Sequence, residues 1–461
     1  MVYGGYSYID EKYKPSKNDF VTLLWVKGEG KLEVLAEMVG AESSVGTWTS
    51  ISTMNDFVWE RLRARVFDLK KVKENAGFIK VAYPLEHFDH DNLPQLLASI
   101  RGNIYGIKEI KELKLLDWSI PEKYQKFFKG PLYGIKGIRK MIGTTKSKRP
   151  HVGTIIKPKV GLSPSEFADA SFKALSNGLD LVKDDENLVN QAFCLWEERA
   201  SKTISKIESI GEPKIYVPNI TDFIPKMMER IEFLDNIGWK MCMIDVYMLG
   251  IPTTKLIVDE LHKRKFMVHA HRAGHGAETR GSRGVGFNFW LKIFRLLGVD
   301  QIHTGTGVGK MEGSPITTRN FGQVASQQKV KGFEPVFLES KWAKHIKPVM
   351  PVASGGLHPG MVGAVCEVYG TTDVTLQAGG GVHGHPQGTE GGAKAMRNAS
   401  ERAAKGGVKV GAELQQAFDK WGFIDPVDIK KQFSALRKNR GNLQKEMYKQ
   451  GLSAVERFEG E

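Results

Sequence analysis

From residue 150 onward the chain becomes a regular alternation of short β-like runs and helix-like stretches, with eight such units in roughly 255 residues. The runs end at Lys159, Asp185, Asn219, Asp245, His271, Thr304, Ser354 and Ala378. The helix-like stretches that follow are 163–177, 188–210, 221–237, 253–264, 286–297, 316–331, 359–369 and 388–405. Strands separated by helices pair in parallel, and eight of them close a (β/α)8 TIM barrel of about 250 residues. A doubly wound open α/β sheet is the structural alternative. It is disfavoured because no G-x-G-x-x-G follows the first run.

The remaining residues suggest further parts. Residues 1–135 read as an N-terminal α+β domain with strands at 21–26, 76–83 and 110–116 and helices at 31–38 and 92–100. The barrel takes 136–420, and 421–461 reads as a basic helical extension. No apolar run approaches the about 18 residues of a membrane span, and the first residues lack a basic-then-apolar leader. Cys194, Cys242 and Cys366 lie far apart without metal-type spacing. A cytoplasmic protein with a reduced core is expected. The net charge of +14 admits nucleic acid, a membrane surface or a polyanionic substrate. The lysines are dispersed, however, and no zinc-finger or RNP-type signature is present, so no nucleic-acid or membrane partner is expected.

Polar residues gather at the carboxyl ends of the eight runs, where barrel enzymes keep their active sites. The most informative stretch is Leu179-Asp180-Leu181-Val182-Lys183-Asp184-Asp185-Glu186-Asn187. Alternation along a strand puts Lys183 and Asp185 on one face, and Glu186 can swing toward them. Two carboxylates suit a hard divalent ion such as Mg²⁺, but the lysine is then a repelled neighbour. A plain Lys–Asp ion pair at a strand end is the structural reading. Lys157 and Lys159, also two apart, read either as a crowded pair suited to proton transfer or as solvated lysines around Pro158. His269 and His271 have zinc-compatible spacing without a third ligand nearby, so zinc is not expected.

Ser354-Gly355-Gly356 and Gly379-Gly380-Gly381 lie where barrels bind phosphate, because glycine lets backbone amides approach an anion. Arg272 and His303 offer a second anion site, so a substrate phosphorylated at both ends would span the mouth. Gly305, Gly307, Gly309 and Gly313 surround Lys310, which reads as a mobile lid carrying a cation or as a flexible surface loop.

Together these motifs resemble the large subunit of ribulose-1,5-bisphosphate carboxylase/oxygenase, RuBisCO. They are Lys157-Pro158-Lys159, Lys183-Asp184-Asp185-Glu186-Asn187, His269-Ala270-His271-Arg272-Ala273, His303-Thr304-Gly305-Thr306, Gly309-Lys310-Met311-Glu312-Gly313, Ser354-Gly355-Gly356 and Gln377-Ala378-Gly379-Gly380-Gly381. Glu42-Ser43-Ser44, Gly46-Thr47-Trp48-Thr49 and Gly102-Asn103-Ile104 match as well. The resemblance spans about residues 15–425. It implies that Lys183 takes up a non-substrate CO₂ as a carbamate (N6-carboxylysine), which with Asp185 and Glu186 holds Mg²⁺. It further implies carboxylation of D-ribulose 1,5-bisphosphate to two 3-phosphoglycerates, with competing oxygenation by O₂. Carried over by position, the Lys183 carbamate removes the C3 proton, Lys159 supports the enediolate and Lys157 protonates the product carbanion. His271 assists proton transfer, and Lys310, paired with Glu42, orients the incoming carboxyl. Arg272, His303, Ser354 and Gly355 hold one side of the substrate. Gly379, Gly380, Thr47 and Trp48 hold the other phosphate, and Asn103 approaches the metal side. Glu42, Thr47, Trp48 and Asn103 would come from a partner subunit, implying a homodimer or a larger assembly of dimers.

Ile155, Gly307 and Val382-His383 depart from plant relatives. The segments from Asn92 to Pro94 and around Asp117-Trp118, with the short N-terminus, resemble archaeal form III or form II/III members. Those lack a small subunit and often serve nucleotide-ribose salvage (AMP metabolism) rather than the Calvin cycle. A RuBisCO-like enolase acting on a related sugar phosphate is the enzymatic alternative, and a nucleic-acid-binding protein the non-enzymatic one.

Overall fold

In a computed structural model, which describes residues 5–310 and 313–460, the alternation becomes a closed barrel. The N-terminal strands are β1 (Asp19–Gly28), β2 (Arg65–Lys73), β3 (Ala76–Pro84) and β4 (Ile110–Ser119). The barrel begins with β5 (His151–Ile155), β6 (Leu181–Lys183), β7 (Ile215–Val217), β8 (Met241–Asp245) and β9 (Met267–His271). After β10 (Arg283–Val285) it continues with β11 (Gln301–His303). A short antiparallel ribbon, β12 (Lys329–Val330) and β13 (Ser340–Lys341), precedes β14 (Met350–Ser354) and β15 (Thr375–Gln377). The eight parallel strands run in the order β7-β6-β5-β15-β14-β11-β9-β8. The seam between β7 and β8 is closed by a parallel bridge, Asn219 to Met243, where Ile220 N donates to Met243 O at 3.0 Å. Helices cover the outside of these strands, which explains why they read as near-continuous apolar runs.

Several element limits differ from expectation. β5 stops at Ile155, so Lys157 and Lys159 lie in a loop where strand alternation no longer applies. The helix expected from 188 begins at Trp196, because the preceding loop is tied down instead of coiled. Asn190 Oδ1 accepts from Trp196 N at 2.8 Å, and the buried Arg199 donates to the carbonyls of Val189 and Cys194 at 2.8 and 3.0 Å. The helix expected from 253 begins instead at Val246, makes one turn, and breaks at Gly250, whose φ is 68°. It resumes with Pro252 in its new first turn, where a proline's missing N–H costs nothing. Where local signals were strong, expectation and structure agree. Ser163 and Glu166 form a capping box around Pro164 and start the first barrel helix, Pro164–Ser176.

The N-terminal sheet has five strands rather than three, in the order β10-β4-β1-β3-β2. β2 escapes a pattern search because only Arg65 and Val66 are buried along it. β10 comes from the loop after β9 and pairs in parallel with β4, so a barrel segment completes the N-terminal sheet. Beside it, the buried Asp117 carboxylate receives Lys292 Nζ at 2.7 Å, Asn288 Nδ2 at 2.9 Å and Leu338 N at 2.9 Å, which ties β4 to the barrel.

The C-terminal extension is helical over Pro426–Gln450 and Leu452–Glu459. The second helix buries Leu452, Val455 and Phe458 in an apolar cluster that also holds Trp25, Phe78, Phe333 and Phe337. The turn needs Gly451, with φ 79°, since a Cβ there would meet the Trp25 ring at 2.6 Å. The fold-back brings Glu459 O to Ser314 N at 2.7 Å, at the base of the glycine-rich loop after β11. Among the described residues, no helix is long and apolar enough to cross a membrane.

Candidate active site at the carboxyl face of the barrel

The end of β6 shows how three consecutive acids acquire different tasks. Asp184 points away from the mouth and is fully buried. Arg199 Nη2 reaches its Oδ2 at 2.9 Å, Tyr216 OH its Oδ1 at 2.7 Å and Asn219 N its Oδ2 at 2.9 Å. It is a structural anchor for the turn that presents its neighbours. Asp185, on the other side, takes Lys157 Nζ at 2.7 Å and Asn187 Nδ2 at 2.8 Å. Burial alone would raise the Asp185 carboxyl, but the Lys157 ammonium and the Asn187 donors outweigh it and hold it at about 2. Lys157 is thus matched with a carboxylate instead of being crowded by Lys159, which is exposed.

Lys183 is 0% exposed. Its Nζ donates to Asp184 O at 2.7 Å and lies 3.4 Å from Met243 Sδ. Desolvation lowers its pKa despite the acids nearby, which favours the neutral amine. Glu186 Oε2 lies 3.5 Å from His271 Nε2, and Asp245 Oδ2 lies 3.5 Å from His271 Nδ1. Ala273 N donates to that same Nδ1 at 3.2 Å, so the imidazole is oriented from two sides. Lys157, Lys183, Asp185, Glu186 and His271 therefore meet at one end of the barrel. Among the described residues, no three His, Cys, Asp or Glu side chains gather around a possible metal position. As oxygen ligands the cluster offers two carboxylates, Asp185 and Glu186, beside the Lys183 amine.

The loops over this cluster are close-fitting. A Cβ on Gly379 would come within 2.9 Å of Lys157 Cε, and one on Gly356 within 2.6 Å of Lys310 Cγ. The glycines thus let Lys157 and Lys310 lie flat across them. Gly309 N donates to Thr306 Oγ1 at 2.8 Å, and Tyr369 OH donates to Gly305 O at 2.6 Å, bracing the base of the Lys310 loop. Met311 and Glu312 lie outside the described residues. Arg272 stacks on Phe287, 4.2 Å from the ring centroid, beside a cavity of about 60 Å³ that His275, Thr304 and Thr317 also line. His303 has one ring nitrogen 2.9 Å from His269 Nε2 and the other 2.6 Å from Ser354 Oγ. His383 is taken up by Thr154 and Thr389 at 3.1 and 2.9 Å.

Glu42 ends the helix Leu32–Glu42, Thr47 and Trp48 follow it, and Asn103 opens a 3-10 turn, all in the N-terminal part. Trp48 is 74% exposed, unusual for so large an apolar ring. Sequence reasoning gave no role to Asn187, Asp245, Arg199 or Gln301. For Asp245, its position at a strand's carboxyl end was the available signal.

The comparison with known families decides what this constellation belongs to. The model of the ribulose bisphosphate carboxylase large chain, catalytic domain, matches residues 134–421, and that of its N-terminal domain matches 7–124. The chain belongs to this RuBisCO family. The ribulose bisphosphate carboxylase of Methanocaldococcus jannaschii is 44% identical over 430 residues, covering 90% of this chain and 99% of the relative. That of Archaeoglobus fulgidus is 38% identical over 437 residues, covering 91% and 98%. Among solved structures, an archaeal RuBisCO superimposes with a TM-score of 0.85 at 38% identity, covering 91% of this chain and all of the other. The dimeric archaeal RuBisCO of Hyperthermus butylicus gives 0.83 at 35% identity, covering 90% and 99%. The RuBisCO extension, from residue 422 onward, lies past the region matched by the catalytic-domain model.

Proposed function

We propose that this RuBisCO-family chain carboxylates D-ribulose 1,5-bisphosphate to two molecules of 3-phosphoglycerate, with oxygenation by O₂ as the competing reaction. The observation that carries the reading is the buried Lys183 amine, which lies within the field of the Glu186 and Asp185 carboxylates. Desolvation favours the neutral amine, the form that attacks CO₂. The product, N6-carboxylysine, turns an unsuitable cation into an anionic oxygen ligand. Asp185 already attracts a cation, as its pairing with Lys157 shows. The carbamylated Lys183, Asp185 and Glu186 would hold Mg²⁺. When bound, that ion supplies Lewis acidity toward the sugar's ketone and hydroxyl oxygens.

The chain's own residues do the rest. The Lys183 carbamate takes the C3 proton, Lys159 supports the enediolate, and CO₂ adds at C2. His271, oriented by Glu186, Asp245 and the Ala273 amide, moves protons at the hydroxyls as C3 is hydrated and the C2–C3 bond breaks. Lys157, next to Asp185, returns a proton to the C2 carbanion. Arg272, Ser354 and Gly355 bind one end of the substrate, with His303 acting through Ser354. Gly379 and Gly380 receive the other phosphate, together with Thr47 and Trp48 of a second copy. Lys310, paired with Glu42, closes over the new carboxyl, and Asn103 approaches from the metal side. A homodimer, or dimers assembled further, follows from the use of N-terminal residues at a partner's barrel mouth. The physiological role is nucleotide-ribose salvage or carbon fixation.

The test is incorporation of labelled CO₂ into 3-phosphoglycerate by protein supplied with Mg²⁺, bicarbonate and ribulose 1,5-bisphosphate, with Lys183→Ala inactive. Wild-type protein that enolises a related sugar phosphate but fixes no carbon would sink the carboxylase reading in favour of a RuBisCO-like enolase.

A further inference from the structure

A line of buried hydrogen bonds runs from the barrel interior to the mouth. Gln301 Nε2 donates to Thr375 Oγ1 at 3.2 Å, and Gln301 Oε1 lies 2.8 Å from His269 Nδ1. His269 Nε2 faces His303 Nε2 at 2.9 Å, and His303 Nδ1 faces Ser354 Oγ at 2.6 Å. Gln301, His269 and His303 are 1%, 0% and 4% exposed, whereas Ser354 opens partly to the mouth. Burial, reinforced by neighbouring cationic groups, pushes His269 down to about 3 and His303 well below its ordinary value, so both rings are neutral.

A neutral imidazole has one N–H and one lone pair. Where two ring nitrogens face each other, one donates and the other accepts, so the line of bonds has a single direction. Gln301 sets it. Its carbonyl oxygen requires His269 to donate from Nδ1 and therefore to accept at Nε2. His303 then donates from Nε2 and accepts at Nδ1, and Ser354 must give its proton inward to His303. A serine hydroxyl that has donated inward presents only lone pairs outward.

We propose that Gln301 is a positioning residue which, through His269 and His303, fixes Ser354 as a hydrogen-bond acceptor toward the ligand. The site therefore favours a sugar phosphate with a hydroxyl donor at that place over one with a carbonyl or ether oxygen. The inference deepens the substrate reading above and rests on Ser354 contacting the substrate.

The test has two arms on the full-length protein. Long-range ¹H–¹⁵N spectra of histidine-labelled protein, assigned with His269→Gln and His303→Gln, should show His269 protonated at Nδ1 and His303 at Nε2. Calorimetric titration with ribulose 1,5-bisphosphate should show binding weakened about ten-fold in Gln301→Leu, the worth of roughly one hydrogen bond. Gln301→Glu keeps an acceptor facing His269 and should restore both the affinity and the Nδ1–H tautomer. A merely structural glutamine would leave the tautomers unchanged in Gln301→Leu. His269 protonated at Nε2 overturns the proposal, because Ser354 would then accept from His303 and donate outward. So does unchanged binding by Gln301→Leu. If wild type does not bind the bisphosphate at all, the substrate reading and the ligand half of this inference fall together, while the spectra still decide whether Gln301 directs the line.

Discussion

Replacing Arg199 by methionine isolates the scaffold beneath the acidic cluster. Arg199 and Asp184 are both fully buried, with the guanidinium 2.9 Å from the carboxylate. At an effective dielectric constant near 20 their attraction is about 6 kcal/mol. Tyr216 OH and Asn219 N remain on Asp184 in the variant and recover part of that by charge-assisted bonds. The expected net loss is about 3–5 kcal/mol, as for other buried pairs broken from one side. The variant should melt well below wild type by calorimetry. Below its melting range it should bind CO₂ and Mg²⁺ poorly, because Asp184 orients the turn between Lys183 and Asp185. Arg199→Met with Asp184→Asn removes the stranded charge, and the double variant should be less impaired than the sum of the singles. A loss below about 1 kcal/mol, or strict additivity of the two changes, would refute the argument that this pair acts as one unit.

Other outcomes follow from the same physics. Desolvation lowers the Lys183 pKa, so pre-incubation with CO₂ at varied pH, assayed at one fixed pH, should reach its activation plateau below the 10.5 of a free lysine; activation still rising tenfold per unit at pH 10 would contradict it. Asp180 is buried, which by itself would raise its pKa, yet Arg149 and Arg397 hold it near 2, against an unfolded 3.8. Its stabilisation, roughly 2 kcal/mol, is therefore complete above pH 3.8 and lost as pH falls toward 2. Asp180→Asn should flatten that acid limb in urea titrations, and an unchanged limb would count against the assignment. Removing residues 451–461 takes away the Glu459 carbonyl that receives Ser314 N. Faster hydrogen exchange across 305–310 and quicker tryptic cleavage after Lys310 are expected, and equal rates would show that the extension does not brace this loop.

Much was legible in the sequence because the barrel's rules are local. Parallel strands buried on both faces must read as apolar runs, helices must separate them, and the reactive ends must carry polar residues. That periodicity predicted the eight-stranded barrel, and the motifs at the strand ends, taken jointly with those around Glu42, Trp48 and Asn103, carried the resemblance to the family. Strand β2 and the start of the helix at Trp196 were hidden for the opposite reason. Charges fall on both faces of β2, and the loop before Trp196 is held by side-chain-to-backbone bonds from Asn190 and Arg199 that no periodicity records, with Arg199 itself fixed by Asp184. Nor can the sequence tell which of three consecutive acids is structural. Strand alternation cannot separate Asp184 from Asp185, because β6 ends at Lys183, and only tertiary packing supplies the Arg199, Tyr216 and Asn219 groups that take Asp184 out of the chemistry. The sense of the bonds from Gln301 to Ser354 belongs to the tertiary structure for the same reason: a side chain's hydrogen-bonding role depends on what faces it, and here the partners come from four separate strands, β9, β11, β14 and β15.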